Sequence, residues 1–215
     1  MILVASDGCG TARHSDKGAN IITSEVVECL SYWLRNSTVV PELPDLLIFS
    51  LGHANQCLTK TATRLSISVI ELAATCACLI VGPDRFAAAQ IGDGIITGIS
   101  HGICGCLFWP NQDYANVTHT LTAKDWRRNI QVYSSAPNSV VPESWLIVTD
   151  GIQSISCDYE KKTPVPGFTS VLVEKLRILS ETSCESAQAA LEALLRSERV
   201  DSVVTDDKTI ITAFR

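Results

Sequence analysis

The chain is expected to fold as an α+β protein, with antiparallel sheets covered by helices on their outer faces. Three observations lead there. Strand-like apolar runs cluster in the middle of the chain. Segments with helical spacing come in pairs. Strands and helices do not alternate one by one, as a parallel βαβ sheet would need. Hydrophobic residues make up 46% and charged residues 19% of the 215 residues, which is enough apolar material for a sizeable core and excludes a mostly disordered chain. At about 150 residues per domain the length suits one domain, or two small ones.

Met1 to Ser6 reads as a buried strand that ends at Asp7-Gly8-Cys9-Gly10. A helix follows over about 16–35, with Ser15 as N-cap, because Ile22, Val26, Val27, Leu30, Trp33 and Leu34 recur at helical spacing. Pro44 suits a first helical turn, so a second helix is expected from there to about Arg64, weakest around Gly52. The period then changes. Ala74 to Val81, Phe86 to Ile91 and Ile95 to Ile99 read as strands, broken by Gly82-Pro83-Asp84 and by Gly92-Asp93-Gly94. Weaker strand patterns lie at 103–109 and 130–133, and a strong one runs from Trp145 to Thr149. After a loop at Pro164 to Gly167, helices are expected at about 168–179 and 184–197, with Glu185, Glu192 and Glu198 on the wet face of the second. Lys208 to Phe214 closes the chain as a strand. No internal repeat or low-complexity linker interrupts this order.

Charge and cysteine content narrow the function. Seventeen basic against 23 acidic residues give a net charge of −6, and no Lys/Arg block is present, which argues against a nucleic-acid partner. No apolar stretch approaches a membrane span, and the short apolar start lacks the basic flank of a secretory signal. The nine cysteines mostly sit inside apolar runs, so buried free thiols in a reducing cytoplasm are expected. Cys76/Cys78 and Cys104/Cys106 form two C-x-C pairs, the second near His101. Each pair is either a zinc half-site or two small core residues on one strand face. His53, His101 and His119 read as isolated polar residues. Trp126-Arg127-Arg128 reads as a solvated turn, or alternatively as a partner patch.

One pattern recurs. An apolar run ends in Asp-Gly at ILVAS-Asp7-Gly8, AAQIG-Asp93-Gly94 and WLIVT-Asp150-Gly151, and a fourth run, SVVT, ends at Asp206-Asp207. A strand followed by Asp-Gly is an ordinary hairpin signal. The same carboxylates, held at strand ends, would also form an oxygen-rich cage of the kind Mg²⁺ and Mn²⁺ favour, and Gly leaves the backbone carbonyl open to approach.

These segments, in this order, resemble the metal-dependent Ser/Thr protein phosphatases of the protein phosphatase 2C type, most closely the compact bacterial branch. VASDGCGTARHSDKGA is similar to that branch's first Asp-Gly motif. AATCACLIVGPDRFAAAQIGDG is similar to its Thr-containing strand, hairpin and Gly-Asp motif. DYANVTHTLT, LIVTDG and DDKTIITA match later segments, and the helix near PVPGFTSVLVEKL falls where the family has one. The resemblance implies a four-layer sandwich of two antiparallel β-sheets flanked by helix pairs on both outer faces, over residues 1–215 as a single domain. It implies two Mn²⁺ or Mg²⁺ ions and a third, weaker site. Asp7 would bridge two metals, with the Gly8 carbonyl beside it. Asp150 and Asp206 would complete the first metal's sphere, and Asp93 with Asp150 would hold the third. Asp7 and Asp150 are thus the catalytic carboxylates. Asp207 would support the ligands from behind, and Thr75 and Thr209 match positions that look structural. The implied reaction is direct attack of a metal-bridged hydroxide on phosphoserine or phosphothreonine in a phosphorylated protein substrate.

Two departures from the family pattern stand out. Family members usually carry one or two strands before the first Asp-Gly, bearing an acidic metal ligand and often a phosphate-gripping Arg; here six residues precede Asp7. Arg13 and Lys17 are the candidate replacements for that grip, or else ordinary solvated charges. Cys9 stands where many members have His. His14 is the nearest imidazole, either a general acid or a surface residue at a helix start. Cys9 as a nucleophile would need a C-x5-R loop, but Arg13 falls at +4. The rival readings are a degenerate module that binds a phosphoprotein without turnover, and a zinc-stabilised interaction domain resting on the C-x-C pairs.

Overall fold

A computed structural model describes residues 1–37, 41–109 and 118–215. In chain order its main elements are β1 (Ile2–Ala5), α1 (Ser15–Asn36), α2 (Leu43–Leu65), β2 (Cys76–Val81), β3 (Phe86–Ile91), β4 (Ile95–Ser100), β5 (Ile103–Cys106), α3 (Trp126–Asn129) and β6 (Gln131–Ser134). There follow β7 (Ser144–Val148), α4 (Gln153–Ser156), β8 (Cys157–Asp158), β9 (Thr163–Pro164), α5 (Pro166–Thr182), α6 (Cys184–Leu195), α7 (Glu198–Asp201) and β10 (Ile210–Phe214). The chain divides into two compact units, Met1–Gly94 with Pro110–Val141, and Ile95–Trp109 with Pro142–Arg215.

The first unit is an antiparallel sheet in the order β1-β2-β3-β6 with α1 and α2 packed on it. Strands β2 and β3 are buried along their whole length. One face of each carries Cys76, Cys78 and Ile80, and Ala87, Ala89 and Ile91, which share a core with Ile22, Val26 and Leu30 of α1 and Leu47, Leu51, Ala54 and Leu58 of α2. The spacing on α1 is four residues, one helical face, and each such buried Ile or Leu contributes about 1.5–3 kcal/mol. Helix α2 ends at Ser66, whose φ of 56° gives the left-handed cap and whose N–H donates to the carbonyls of Ala62 and Thr63.

The second unit is an antiparallel sheet in the order β10-β7-β4-β5, with α5 against it and α6 against α5. Its core joins Ile95, Ile99, Leu146, Val148 and Val173. Leu172, Leu176 and Ala187 lie between the two helices. Ser183 caps α6, its hydroxyl accepting from the N–H groups of Glu185 (3.2 Å) and Ser186 (3.4 Å). Among the described residues the α+β class is as expected, with two four-stranded antiparallel sheets and a helix pair for each.

Several local expectations are corrected. Ser15 is the first residue of α1 and not its cap. His14 holds the cap position without a side-chain hydrogen bond, and Ser15 lies close to Gly8. Helix α2 is not weak at Gly52, which is buried beneath Trp126 and Arg127. Trp126 is no solvated residue: it is buried in the first unit's core, with the Arg127 guanidinium 4.7 Å from its ring centroid. Glu198 starts α7 and does not lie on α6. Residues 164–167 are not all loop, since α5 starts at Pro166, with proline in its first turn.

Candidate active site

None of the three Asp-Gly pairs closes a hairpin. Asp7-Gly8 leads from β1 towards α1. Asp93-Gly94 joins strands of different sheets, β3 and β4. Asp150-Gly151 begins a short helical turn after β7. The carboxylates therefore stand at the ends of rigid strands without belonging to two-residue loops.

In the first unit, Asp7 is held through its backbone by Thr75. The Asp7 N–H donates to Thr75 Oγ1 at 3.0 Å, the Thr75 N–H donates to the Asp7 carbonyl at 2.8 Å, and Ser6 Oγ donates to the Thr75 carbonyl at 2.6 Å. Gly8 pairs with Ala74 as an isolated bridge. A methyl group at Gly8 would lie 2.8 Å from Ser15 Cβ, so only glycine lets the start of α1 come this close. The turn that bears Asp93 rests on the same threonine. Gly92 has φ of 107°, and a Cβ there would lie 2.6 Å from Thr75 Cγ2. Thr118 Oγ1 donates to Asp93 Oδ2 at 2.8 Å. Thr75 thus links the placement of Asp7 and Asp93, which is the structural role expected of it.

In the second unit, Gly151 lets the Asp206-Asp207 segment lie against the turn that bears Asp150. A Cβ at Gly151 would lie 2.1 Å from the Asp207 carbonyl oxygen and 3.4 Å from Asp206 Cβ. Asp150 Oδ1 accepts from the Gly151 N–H, and Asp206 Oδ1 from the Asp207 N–H, each at 2.8 Å. Thr149 and Thr209 tie the two segments. The Thr149 N–H donates to the Thr209 carbonyl and the Thr209 N–H to Thr149 Oγ1, both at 3.2 Å. Lys208 reaches back to Asp201 and to the Leu195 carbonyl, which anchors the loop to α6 and α7.

The first unit thus presents Asp7 and Asp93 at strand ends, and the second presents Asp150 after β7 and Asp206 in the loop before β10. Carboxylate chemistry fits Mg²⁺ or Mn²⁺ and does not fit a thiolate-preferring ion. Among the described residues, the C-x-C pairs belong to no cluster of metal-ligating side chains. Cys76 and Cys78 are buried in the first unit's core. In the second unit, Cys104 Sγ lies 2.9 Å from Ser170 Oγ, and Cys106 Sγ lies 3.6 Å from Thr97 Oγ1. All nine cysteines are free.

A family model described as protein phosphatase 2C matches residues 1–196. The chain belongs to the protein phosphatase 2C family. It is 25% identical over 215 residues to serine/threonine-protein phosphatase 3 of Escherichia coli K12, covering 99% of this chain and 83% of that one. Among solved structures it is similar to serine/threonine phosphatase Stp1 from Staphylococcus aureus, with a TM-score of 0.66 and 15% identity over 100% of this chain and 83% of the other. It is also similar to the catalytic domain of the phosphatase PstP in complex with two manganese ions, with a TM-score of 0.64 and 14% identity over 99% and 86%. The fold is therefore the phosphatase 2C fold, as the motif order implied.

Other family-derived expectations fare unevenly. Arg13 and Lys17 are both exposed at the start of α1. The Arg13 and His14 N–H groups donate to Glu71 Oε2 (3.2 Å) and to the Glu71 carbonyl (2.8 Å), so Glu71 shapes the loop after Asp7. Sequence reading missed Glu71, although it stands four residues before Thr75. It also passed over Thr118 as an Asp93 partner. The resemblance also makes Tyr114 to Thr118 a flap near the site, and Asn116-Val117-Thr118 matches a glycosylation sequon; of these residues only Thr118 is among those described. Cys9 Sγ lies 3.2 Å from Thr11 Oγ1. His53 is not isolated, because Glu25 lies 3.0 Å from its Nε2. His101 pairs with Glu143 at 3.3 Å.

Proposed function

We propose that this family member is a Mn²⁺- or Mg²⁺-dependent phosphatase that hydrolyses phosphoserine and phosphothreonine in proteins, with residues 1–215 acting as one catalytic domain. The observation that carries this reading is the retention of Asp7, Asp93, Asp150 and Asp206 in family order, the first three at strand ends and Asp206 in the loop before β10, each braced by local hydrogen bonding or close packing. Asp7 with the Gly8 carbonyl, Asp150 and Asp206 would hold two metals, and Asp93 with Asp150 a third. When bound, such a pair supplies a nucleophilic hydroxide at neutral pH and neutralises charge on the phosphoryl oxygens. The chain's own part is to fix the carboxylates through Thr75, Gly151 and the Thr149–Thr209 pairing. Arg13, just before α1, and Lys17, in its first turn, are both exposed and are proposed to meet the substrate phosphate. Nine free thiols and the lack, among the described residues, of any helix long and apolar enough to cross a membrane support action in the cytoplasm. The intact carboxylate set favours turnover over a binding-only module.

The test is hydrolysis of para-nitrophenyl phosphate with Mn²⁺ titrated in, beside an Asp150→Asn variant. Activity should require the metal and fall by at least about 10²-fold in the variant. Folded protein that stays inactive at millimolar Mn²⁺ and Mg²⁺ would overturn the proposal.

A further inference from the structure

The first unit carries a second group of metal-ligating side chains, unrelated to the phosphatase carboxylates. Glu25 and Cys29 lie one turn apart on α1, and His53 and Cys57 lie one turn apart on α2. The ligand atoms of Glu25, His53 and Cys57 all lie within 4.8 Å of one another. Glu25 Oε2 is 3.0 Å from His53 Nε2, and Cys57 Sγ is 3.8 Å from the same nitrogen. A tetrahedral Zn²⁺ with ordinary bond lengths needs about 3.3 Å between an oxygen and a nitrogen ligand and about 3.6 Å between a nitrogen and a sulfur ligand. The first pair is about 0.3 Å short of its value and the second about 0.2 Å long, so small side-chain adjustments would seat an ion.

We propose that Glu25, His53 and Cys57 form a zinc site that staples α1 to α2. The arrangement is not a catalytic triad. A Cys-His-Glu relay uses the two ring nitrogens separately, one facing the thiol and the other the carboxylate. Here one nitrogen, Nε2, faces both, which is how ligands converge on a shared ion. Burial, and then the Glu25 charge, push the Cys29 thiol up; burial and hydrogen bonding to Glu25 do the same for Cys57. Without a cation these thiols keep their protons. A divalent cation at the site reverses that balance for Cys57, whose thiol gives up its proton to solvent as the metal–sulfur bond forms. His53 and Glu25 have partly exposed side chains (41% and 32%), so an ion can enter from solvent. The donor set of soft thiolate and imidazole selects zinc, whereas Mg²⁺ and Mn²⁺ are drawn to the all-carboxylate set elsewhere.

The test uses the full chain, stripped with chelator and returned to buffer with excess Mg²⁺. Given Zn²⁺ in that buffer, it should retain one equivalent through dialysis and melt at a higher temperature than the zinc-free chain. Co²⁺ in its place should give a thiolate-to-cobalt charge-transfer band. Cys57→Ser and His53→Ala should each abolish the band and weaken zinc binding by more than about 100-fold, the upper range for losing a mere supporting group. Circular dichroism confirms that the variants fold. Asp150→Asn and Cys184→Ser, which lie in the second unit, should leave binding unchanged. A wild-type chain that takes up no zinc at micromolar free metal would overturn the proposal, as would a band that survives both Cys57→Ser and His53→Ala.

Discussion

Gly151 shows how one residue can set a carboxylate pair. Its φ is not positive, so no turn geometry demands glycine there. What demands it is the Asp207 carbonyl oxygen, 2.1 Å from where a Cβ would stand. The obstacle is backbone and cannot swing aside as a side-chain tip can. Gly151→Ala should therefore lower stability by about 1–3 kcal/mol, as overpacking does. It should also push the Asp206–Asp207 segment away from Asp150. Because misplacement by about 1 Å can cost about 10²-fold in rate, metal-dependent kcat/KM should fall further than the stability loss explains. Melting temperature and kcat/KM on the same preparation check this, and activity within about twofold of wild type would refute it. Asp7, Asp93 and Asp150 were legible in the sequence as strand-end carboxylates, but Asp206 follows no strand: the SVVT run is turn and irregular backbone after α7. The reason for the glycines was not legible. Gly8 answers to Ser15, and Gly151 to residues more than fifty positions away, and no local pattern encodes such a contact.

At the scale of elements, periodicity located the long helices and buried strands to within a few residues, because each has a face of Ile, Leu, Val or Ala that must be covered. Short elements such as α3 and the β8–β9 pair are too brief to show a period. The sheet to which each strand belongs was equally hidden. β3 and β4 are separated by three residues around Asp93 and read locally like a hairpin, yet they lie in different sheets. Gly18 provides a test at this scale. In α1 a glycine costs about 1 kcal/mol relative to alanine, so Gly18→Ala should stabilise the helix taken alone. In the folded chain the new methyl would meet the Leu72 carbonyl oxygen at 2.0 Å and its carbonyl carbon at 2.7 Å. Helix and backbone must then part, at about 1–3 kcal/mol, so the clash outweighs the propensity gain. Urea unfolding of Gly18→Ala should show a lower midpoint than wild type, and a raised midpoint would show that α1 shifts freely.

For the whole molecule, the cysteines link composition to stability. Their number and apolar setting pointed to buried free thiols, and Cys76, Cys106 and Cys157 lie against or within the cores of the two units. Cys76 is pushed well above its ordinary range by its hydrogen-bonded neighbour Cys78 and by burial, and Cys157 is raised by burial. Burial likewise pushes Cys106 up to about 11 from 9.0, only partly offset by Thr97. All three shifts have one sign: the folded chain holds these protons more tightly than the unfolded chain. Below pH 9 both states are protonated and the groups make stability independent of pH. As pH rises above 9 the unfolded thiols ionise first, and stability falls, for Cys106 until the pH reaches about 11. In metal-free buffer the urea midpoint should therefore hold level from pH 7 to pH 8.5 as far as these groups are concerned, then decline steadily towards pH 10.5. Cys106→Ala lacks one of the titrating groups, so its midpoint should decline less steeply and the gap between variant and wild type should narrow with pH. Parallel declines for the two proteins would mean that the Cys106 thiol ionises as readily in the folded chain as in the unfolded one, and that its place beside Thr97 and Cys157 is open to water.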